Sequence, residues 1–195
     1  MTMQQNFAMT PSVKNAISKV LRFILLPLGY NYRKRNGMKH ALSPKREIPN
    51  DVLLGAVRET ISQGHTATII VKGWSMRPFL EHLRDKVQLD SPKCIQKYDA
   101  VLAEISSGKY VLHRIINIQP HPSNTDLDQI TLMGDGNIRG TEQCLRKDVC
   151  GVVTHYIRPN RTILANSPSL IKNIKMWHSL LPVRKYLLFI YKAII

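Results

Sequence analysis

Apolar residues recur at the spacing of one helix face in three parts of the chain. The first part opens at Ser12, a suitable N-cap, and ends near Pro27. The second opens at Asn50 and ends near Gly64, a suitable stop. The third occupies the C-terminal residues 170–190 and is divided by Pro182. We therefore predict amphipathic helices at both ends of the chain and one internal helix. The apolar positions that define the three parts are Val13, Ile17, Val20, Leu21, Ile24 and Leu25; Leu53, Leu54, Val57 and Ile61; and Leu170, Ile171, Ile174, Trp177, Leu180, Leu181, Val183, Tyr186, Leu187 and Ile190.

Between the second and third of these parts, the chain becomes a series of short β-favouring runs. Turn-prone residues separate the runs, as at 106–108 and 120–128. The predicted strands cover residues 66–71, 86–89, 100–105, 110–118, 129–133 and 149–157. This pattern predicts a mainly β fold of the α+β class, a curled antiparallel sheet or partial barrel with peripheral amphipathic helices.

The 195 residues, 44% of them hydrophobic, provide material for one core of ordinary size rather than two. Residues 30–49 are basic and contain Gly37, Pro44 and Pro49, a composition typical of a linker. We expect a basic N-terminal extension over 1–48, a β domain over 49–160 and a basic amphipathic segment over 161–195.

Positive charge dominates the surface chemistry, because 28 Lys and Arg oppose 13 Asp and Glu for a net charge of +15. Aromatic residues make up only 7% of the chain, and no helix-turn-helix pattern is evident, so we expect no nucleic-acid partner. The basic C-terminal segment suits contact with an anionic membrane surface, packing on the domain, or pairing with another chain.

The three cysteines Cys94, Cys144 and Cys150 lack the spacing of a zinc clamp and are an odd number, so we expect free thiols, no metal and no cofactor. The apolar stretch 24–28 is too short for a cleavable signal peptide, and no run of about 20 apolar residues exists. We expect a cytoplasmic protein, with peripheral association at the inner face of the membrane as a second expectation.

The segment KGWSMRPFL, residues 72–80, places Ser75 in a turn directly after a predicted strand. Such a turn can present the serine hydroxyl while backbone N–H groups face the reacting carbonyl, as acyl transfer requires. A nucleophilic serine also needs a base. His113, in the predicted strand KYVLHRIINI, can accept the serine proton at neutral pH.

A third element is MGDGN, residues 133–137, a glycine-flanked turn that holds Asp135 at a strand end. A carboxylate there could orient the imidazole of His113, as the third member of a Ser-His-Asp triad does. An Asx turn that merely closes a hairpin explains the same residues.

Together, the order GxSMxP, then an HR pair within a hydrophobic strand, then GDxN resembles the signal peptidase I family and its wider peptidase group, over about residues 50–159. In that group, the common bacterial enzymes and the SOS-type self-cleaving repressors use a Ser-Lys dyad. The endoplasmic-reticulum type and its sporulation-associated relatives place a histidine at the base position. His113 stands at that position, so the chain is similar to the Ser-His branch.

The resemblance implies that Ser75 attacks the scissile carbonyl and that its amide contributes to the oxyanion hole. It also implies that Met76 shapes the substrate-side wall. Gly73 stands where some members carry a hydroxyl that assists the oxyanion, and Trp74 replaces a smaller residue. Ser-His members usually carry a further acid after the GD pair, so the acid that supports His113 is open between Asp135 and Glu142.

These observations predict a serine endopeptidase that cleaves a specific peptide or protein precursor beside small apolar residues. Signal peptidases carry a transmembrane anchor, whereas only amphipathic ends are evident here. One alternative keeps Ser75 and makes Lys109 the base, since it would share a strand face with His113 and could lose its proton if buried. The other is a non-catalytic protein of the same fold that binds lipid or nucleic acid through its basic surface.

Overall fold

The computed structural model describes residues 50–194 of the chain. The predicted N-terminal helix and the extension over 1–48 lie outside these residues. Helix α1, Asn50–Ser62, comes first, and the N–H of Gly64 closes it by donating to the carbonyl of Ile61 at 3.0 Å. Gly64 takes a φ of 85°, the left-handed conformation that glycine adopts without steric cost.

Eight strands form one antiparallel sheet, which confirms the mainly β fold class. Their spatial order is β1-β2-β7-β3-β4-β5-β6, and β8 pairs with β7. The sheet does not close, since β1 and β6 remain its two ends. The strands are β1, Ala67–Ile70; β2, Lys86–Asp90; β3, Ala100–Ser106; β4, Lys109–Gln119; β5, Gln129–Met133; β6, Glu142–Leu145; β7, Val149–Arg158; and β8, Arg161–Leu164.

Bulges interrupt the pairing in three strands: the extra residue is Ile105 in β3 and Ile116 in β4, and β7 has two, Cys150 and Thr154. A bulge adds one residue to one strand of a pair, which bends that strand and increases its twist. We therefore expect β3, β4 and β7 to bend at these positions.

Apolar side chains fill both faces of this sheet. The larger core joins one face to the helices, and Phe79, Leu80 and Trp177 are its fully buried centre. The smaller core on the other face contains Ile115 and Leu132. Along β4, Leu112 points toward the larger core, whereas Val111 and Ile115 point toward the smaller one. Because side chains alternate along a strand, Arg114 lies on the face of the larger core and His113 on the face of the smaller core.

Helices α2, Pro168–Ser179, and α3, Arg184–Ile194, pack against the larger core. A 3-10 turn, Leu181–Val183, separates them at Pro182, as the sequence predicts. Their anchors are fully buried: Trp177 lies edge-on to Phe79, with ring centroids 6.5 Å apart, and Tyr191 is 1% exposed. The packed unit therefore continues past residue 160 through β8 and both helices. Within residues 50–194, none of the helices has the length and apolarity to cross a bilayer.

Candidate active site

Ser75 lies in a tight turn that connects β1 to β2, and its side chain is partly exposed. Gly73 opens the turn with a φ of 105°, and its N–H donates to Nδ1 of His82 at 2.8 Å. The turn is closed on its other side by the N–H of Phe79, which donates to the carbonyl of Met76 at 3.0 Å. Met76 itself is 2% exposed and packs in the larger core beneath the turn.

The Ser75 turn packs directly against the GDGN turn. The N–H of Gly136 donates to the carbonyl of Ser75 at 2.7 Å. A Cβ at residue 134 would lie 2.5 Å from that carbonyl oxygen and 3.0 Å from Cβ of Ser75, and a Cβ at residue 136 would lie 2.7 Å from the carbonyl oxygen of Trp74. Both glycines are required by close packing, which physically links two motifs that are far apart in the sequence.

His113 is held by Glu142. The imidazole is buried on β4, and its Nδ1 lies 2.9 Å from Oε2 of Glu142, the first residue of β6. A neutral imidazole that donates from Nδ1 to this carboxylate leaves Nε2 as its acceptor nitrogen. Glu142, one of the two acids that the sequence leaves open, therefore stands where it can fix the tautomer of a histidine base.

Gly134 relates the position of Ser75 to that of His113. The pairing of β4 with β5 ends at Arg114 and Met133, and His113 and Gly134 are the next residues beyond this pair. Ser75 packs directly on Gly134. No hydrogen bond joins the Ser75 hydroxyl to His113 within the described part of the chain, and catalytic contacts in substrate-free sites are often long in this way.

Asp135 occupies a different environment from His113. It is fully buried and accepts two hydrogen bonds from Arg114, at 2.8 Å from Nε and 2.6 Å from Nη2, with His178 Nε2 at 3.3 Å. Burial would raise the pKa of Asp135, but the Arg114 guanidinium and His178 hold it below its usual range. Its carboxylate is thus engaged by Arg114 rather than by His113.

Arg114 ties this buried carboxylate to the rest of the fold. Arg114 also donates to the carbonyl of Tyr98 at 2.8 Å. Burial alone would lower the pKa of Arg114, but the attraction of Asp135 outweighs burial and raises this pKa, so the charged form is favoured. Trp177 Nε1 donates to the backbone carbonyl of Asp135 at 2.7 Å. Helix α2 therefore holds the GDGN turn in place, through a contact that no motif in the sequence indicates.

An apolar groove of about 440 Å³ includes in its lining Lys72, three residues before Ser75, and Leu112, the residue before His113. One wall is β1, which pairs only with β2, and the other is the first half of β4, which pairs with β3 over Lys109–Arg114 but meets β5 only from Arg114 onward. Each wall thus presents a strand edge that no described strand occupies. The lining residues are Leu53, Leu54, Thr68, Ile69, Ile70, Val71, Lys72, Leu102, Gly108, Lys109, Tyr110 and Leu112.

Lys109, the alternative base, lies at the far end of the groove. It is exposed at the start of β4, four residues before His113, a distance of about 13 Å along a strand. A lysine that acts as a base must be desolvated, and Lys109 is not. The described residues contain no cluster of three or more His, Cys, Asp or Glu side chains that could hold a metal ion.

The chain shows no match to the models of known protein families, to characterised proteins or to solved structures. The function is therefore inferred from the three motifs and from the geometry of Ser75, His113 and Glu142.

Proposed function

We propose that the chain is a serine endopeptidase in which Ser75 is the nucleophile, His113 the base and Glu142 the acid that orients His113. The observation that carries this proposal is the His113–Glu142 contact of 2.9 Å. Ser75 packs on Gly134, directly after β5, and Lys72 and Leu112 line a groove with two open strand edges. A carboxylate-bound imidazole next to a serine in a glycine-bounded turn is the arrangement that serine acyl transfer needs.

The groove suggests how a peptide is held. An extended segment can add itself as a strand to an open sheet edge, where main-chain hydrogen bonds provide affinity and side-chain pockets provide selectivity. Apolar side chains from β1, β4 and α1 line the groove, so the preferred peptide carries apolar residues there. The small residues expected beside the scissile bond follow from the resemblance to signal peptidases, as does the partial barrel of that family's type.

The chemical steps then follow from the positions of the three side chains. Oγ of Ser75 attacks the scissile carbonyl carbon as Nε2 of His113 takes the hydroxyl proton, and Glu142 stabilises the imidazolium that forms. No described group accepts the N–H of Ser75, which is therefore available to the oxyanion. His113 returns the proton to the leaving amine. Water then attacks the acyl carbon as His113 takes a proton from it, and His113 returns this proton to Oγ of Ser75 as the carboxylic acid product leaves.

Cleavage of a peptide library with small residues on the acyl side, followed by mass spectrometry, tests the proposal. The wild type and Ser75→Ala should be compared with anionic liposomes present. Cleavage by the wild type alone is the expected result and would also reveal the sequence preference. Equal cleavage by both proteins would contradict the proposal, and cleavage by neither would favour a non-catalytic binding protein.

A further inference from the structure

Helix α3 presents one face to solvent that its packing leaves uncovered. Leu187, Leu188, Ile190 and Tyr191 are buried against the core, whereas Tyr186 is 60% exposed and Phe189 is 67% exposed. Positions 185, 189 and 192 are four and three residues apart, and position 186 is three residues before 189, so these aromatics share a face with two lysines. The outer face of α3 consists of Lys185, Tyr186, Phe189 and Lys192, with Leu181 and Val183 in the turn before it.

This face is held rigidly and cannot turn inward. Tyr191 Oη donates to Oε1 of the buried Glu81 at 2.7 Å. Arg184, also buried, donates to the carbonyl of Asn137 at 3.0 Å and to that of Trp177 at 3.2 Å. These contacts fix the helix about its axis, so exposure of the two aromatics is a property of the fold.

Charge narrows the choice of partner. The sequence from residue 149 to residue 195 contains no Asp or Glu, while Lys172, Lys175, Lys185 and Lys192 are all exposed. Two copies of this face would repel each other, which disfavours self-association. Nucleic acid would satisfy the lysines but not a large exposed Phe beside aliphatic side chains, since phosphate contacts dominate that kind of binding.

We infer that the outer face of α3 docks in the plane of an anionic lipid bilayer. Phe189, Tyr186, Val183 and Leu181 enter the boundary between headgroups and acyl chains, and Lys185 and Lys192 remain with the lipid phosphates. A helix of 11 residues is about 16 Å long and lies along the surface without spanning it. The inference does not depend on peptidase activity.

A fluorophore attached at a single site tests this face locally. In full-length protein carrying Cys94→Ser, the remaining cysteines are buried, and burial raises the pKa of the Cys144 thiol to about 12 and also raises that of Cys150, so both resist labelling. An environment-sensitive dye is placed at Phe189→Cys. The matched control is Leu127→Cys, 37% exposed and at the opposite end of β5 from the contact with Trp177.

Vesicles of phosphatidylglycerol and phosphatidylcholine should shift the emission at position 189 to the blue and leave position 127 unchanged. Lys185→Gln and Lys192→Gln should each weaken the apparent affinity about fivefold, the effect of one lysine at an anionic surface. No shift at position 189, or equal shifts at both positions, would overturn the inference. A response to duplex DNA but not to vesicles would overturn it in favour of nucleic acid.

Discussion

Two adjacent residues of β4 form two carboxylate pairs in contrasting surroundings. The pair His113–Glu142 lies on one face of the sheet, and the side chain of Glu142 is 29% exposed. The pair Arg114–Asp135 lies on the other face, where the side chains are 1% and 0% exposed. In the proposed mechanism the first pair exchanges protons with a substrate, whereas separating the two buried charges of the second pair would be costly. Under this proposal, one dipeptide supplies both the base and the anchor of the turn that contains Asp135.

The largest effect should come from removing the proton acceptor. His113→Gln preserves side-chain volume but cannot take the serine proton, so kcat/KM should fall by about 10⁴-fold or more while the free energy of unfolding changes by less than about 1 kcal/mol. The peptide found by library cleavage serves as substrate. A variant with near wild-type turnover would show that His113 is structural.

The buried pair should respond in the opposite way. Arg114→Met leaves Asp135 buried without its main cation and should reduce the free energy of unfolding by about 3–5 kcal/mol in urea titrations. The double variant Arg114→Met/Asp135→Leu removes both charges and should recover most of that loss. A single variant as stable as the wild type would show that the pair does not hold the turn.

Low pH should reduce the contribution of the Arg114–Asp135 pair to the free energy of unfolding. Because the pKa of Asp135 is lowered in the folded protein, its contribution is fully present above its unfolded value of about 3.9 and is lost as pH falls through the folded value. Asp135→Asn should therefore flatten the stability profile below about pH 4. Parallel acid profiles for the two proteins would argue against this linkage.

The smallest effect is expected at the alternative base. Lys109→Met should change kcat/KM by less than about twofold, since Lys109 is exposed and about 13 Å along β4 from His113. Loss of activity in Lys109→Met, with activity retained in His113→Gln, would reverse the assignment of the base.

Local patterns predict much of this fold. Alternation and turn residues predict β1, β2, β3, β4, β5 and β7 to within one residue at each end, and Pro182 marks the break between α2 and α3. Strands β6 and β8 are four residues each and lack a clear alternating run, so pattern alone does not reveal them. Their existence depends on pairing with β5 and β7.

Some residues of the candidate site can likewise be predicted from local motifs, and others cannot. Ser75, His113 and the GDGN turn stand in recognisable motifs, but the partner of His113 depends on the register of β6 against β5, where Glu142 is paired with Leu132. Trp177, His178 and His82 reach the site by tertiary packing alone. Residues brought together in this way leave no signature in spacing or composition.

The most direct measurement compares two isosteric amides, Glu142→Gln and Asp135→Asn, in the same cleavage and unfolding assays. If Glu142 orients the base, Glu142→Gln should lower kcat/KM by about 10²–10⁴-fold with little loss of stability, and Asp135→Asn should lose several kcal/mol of stability while the folded fraction remains active. The reverse pattern, with activity abolished in folded Asp135→Asn and retained in Glu142→Gln, would contradict the assignment and make Asp135 the acid of the site.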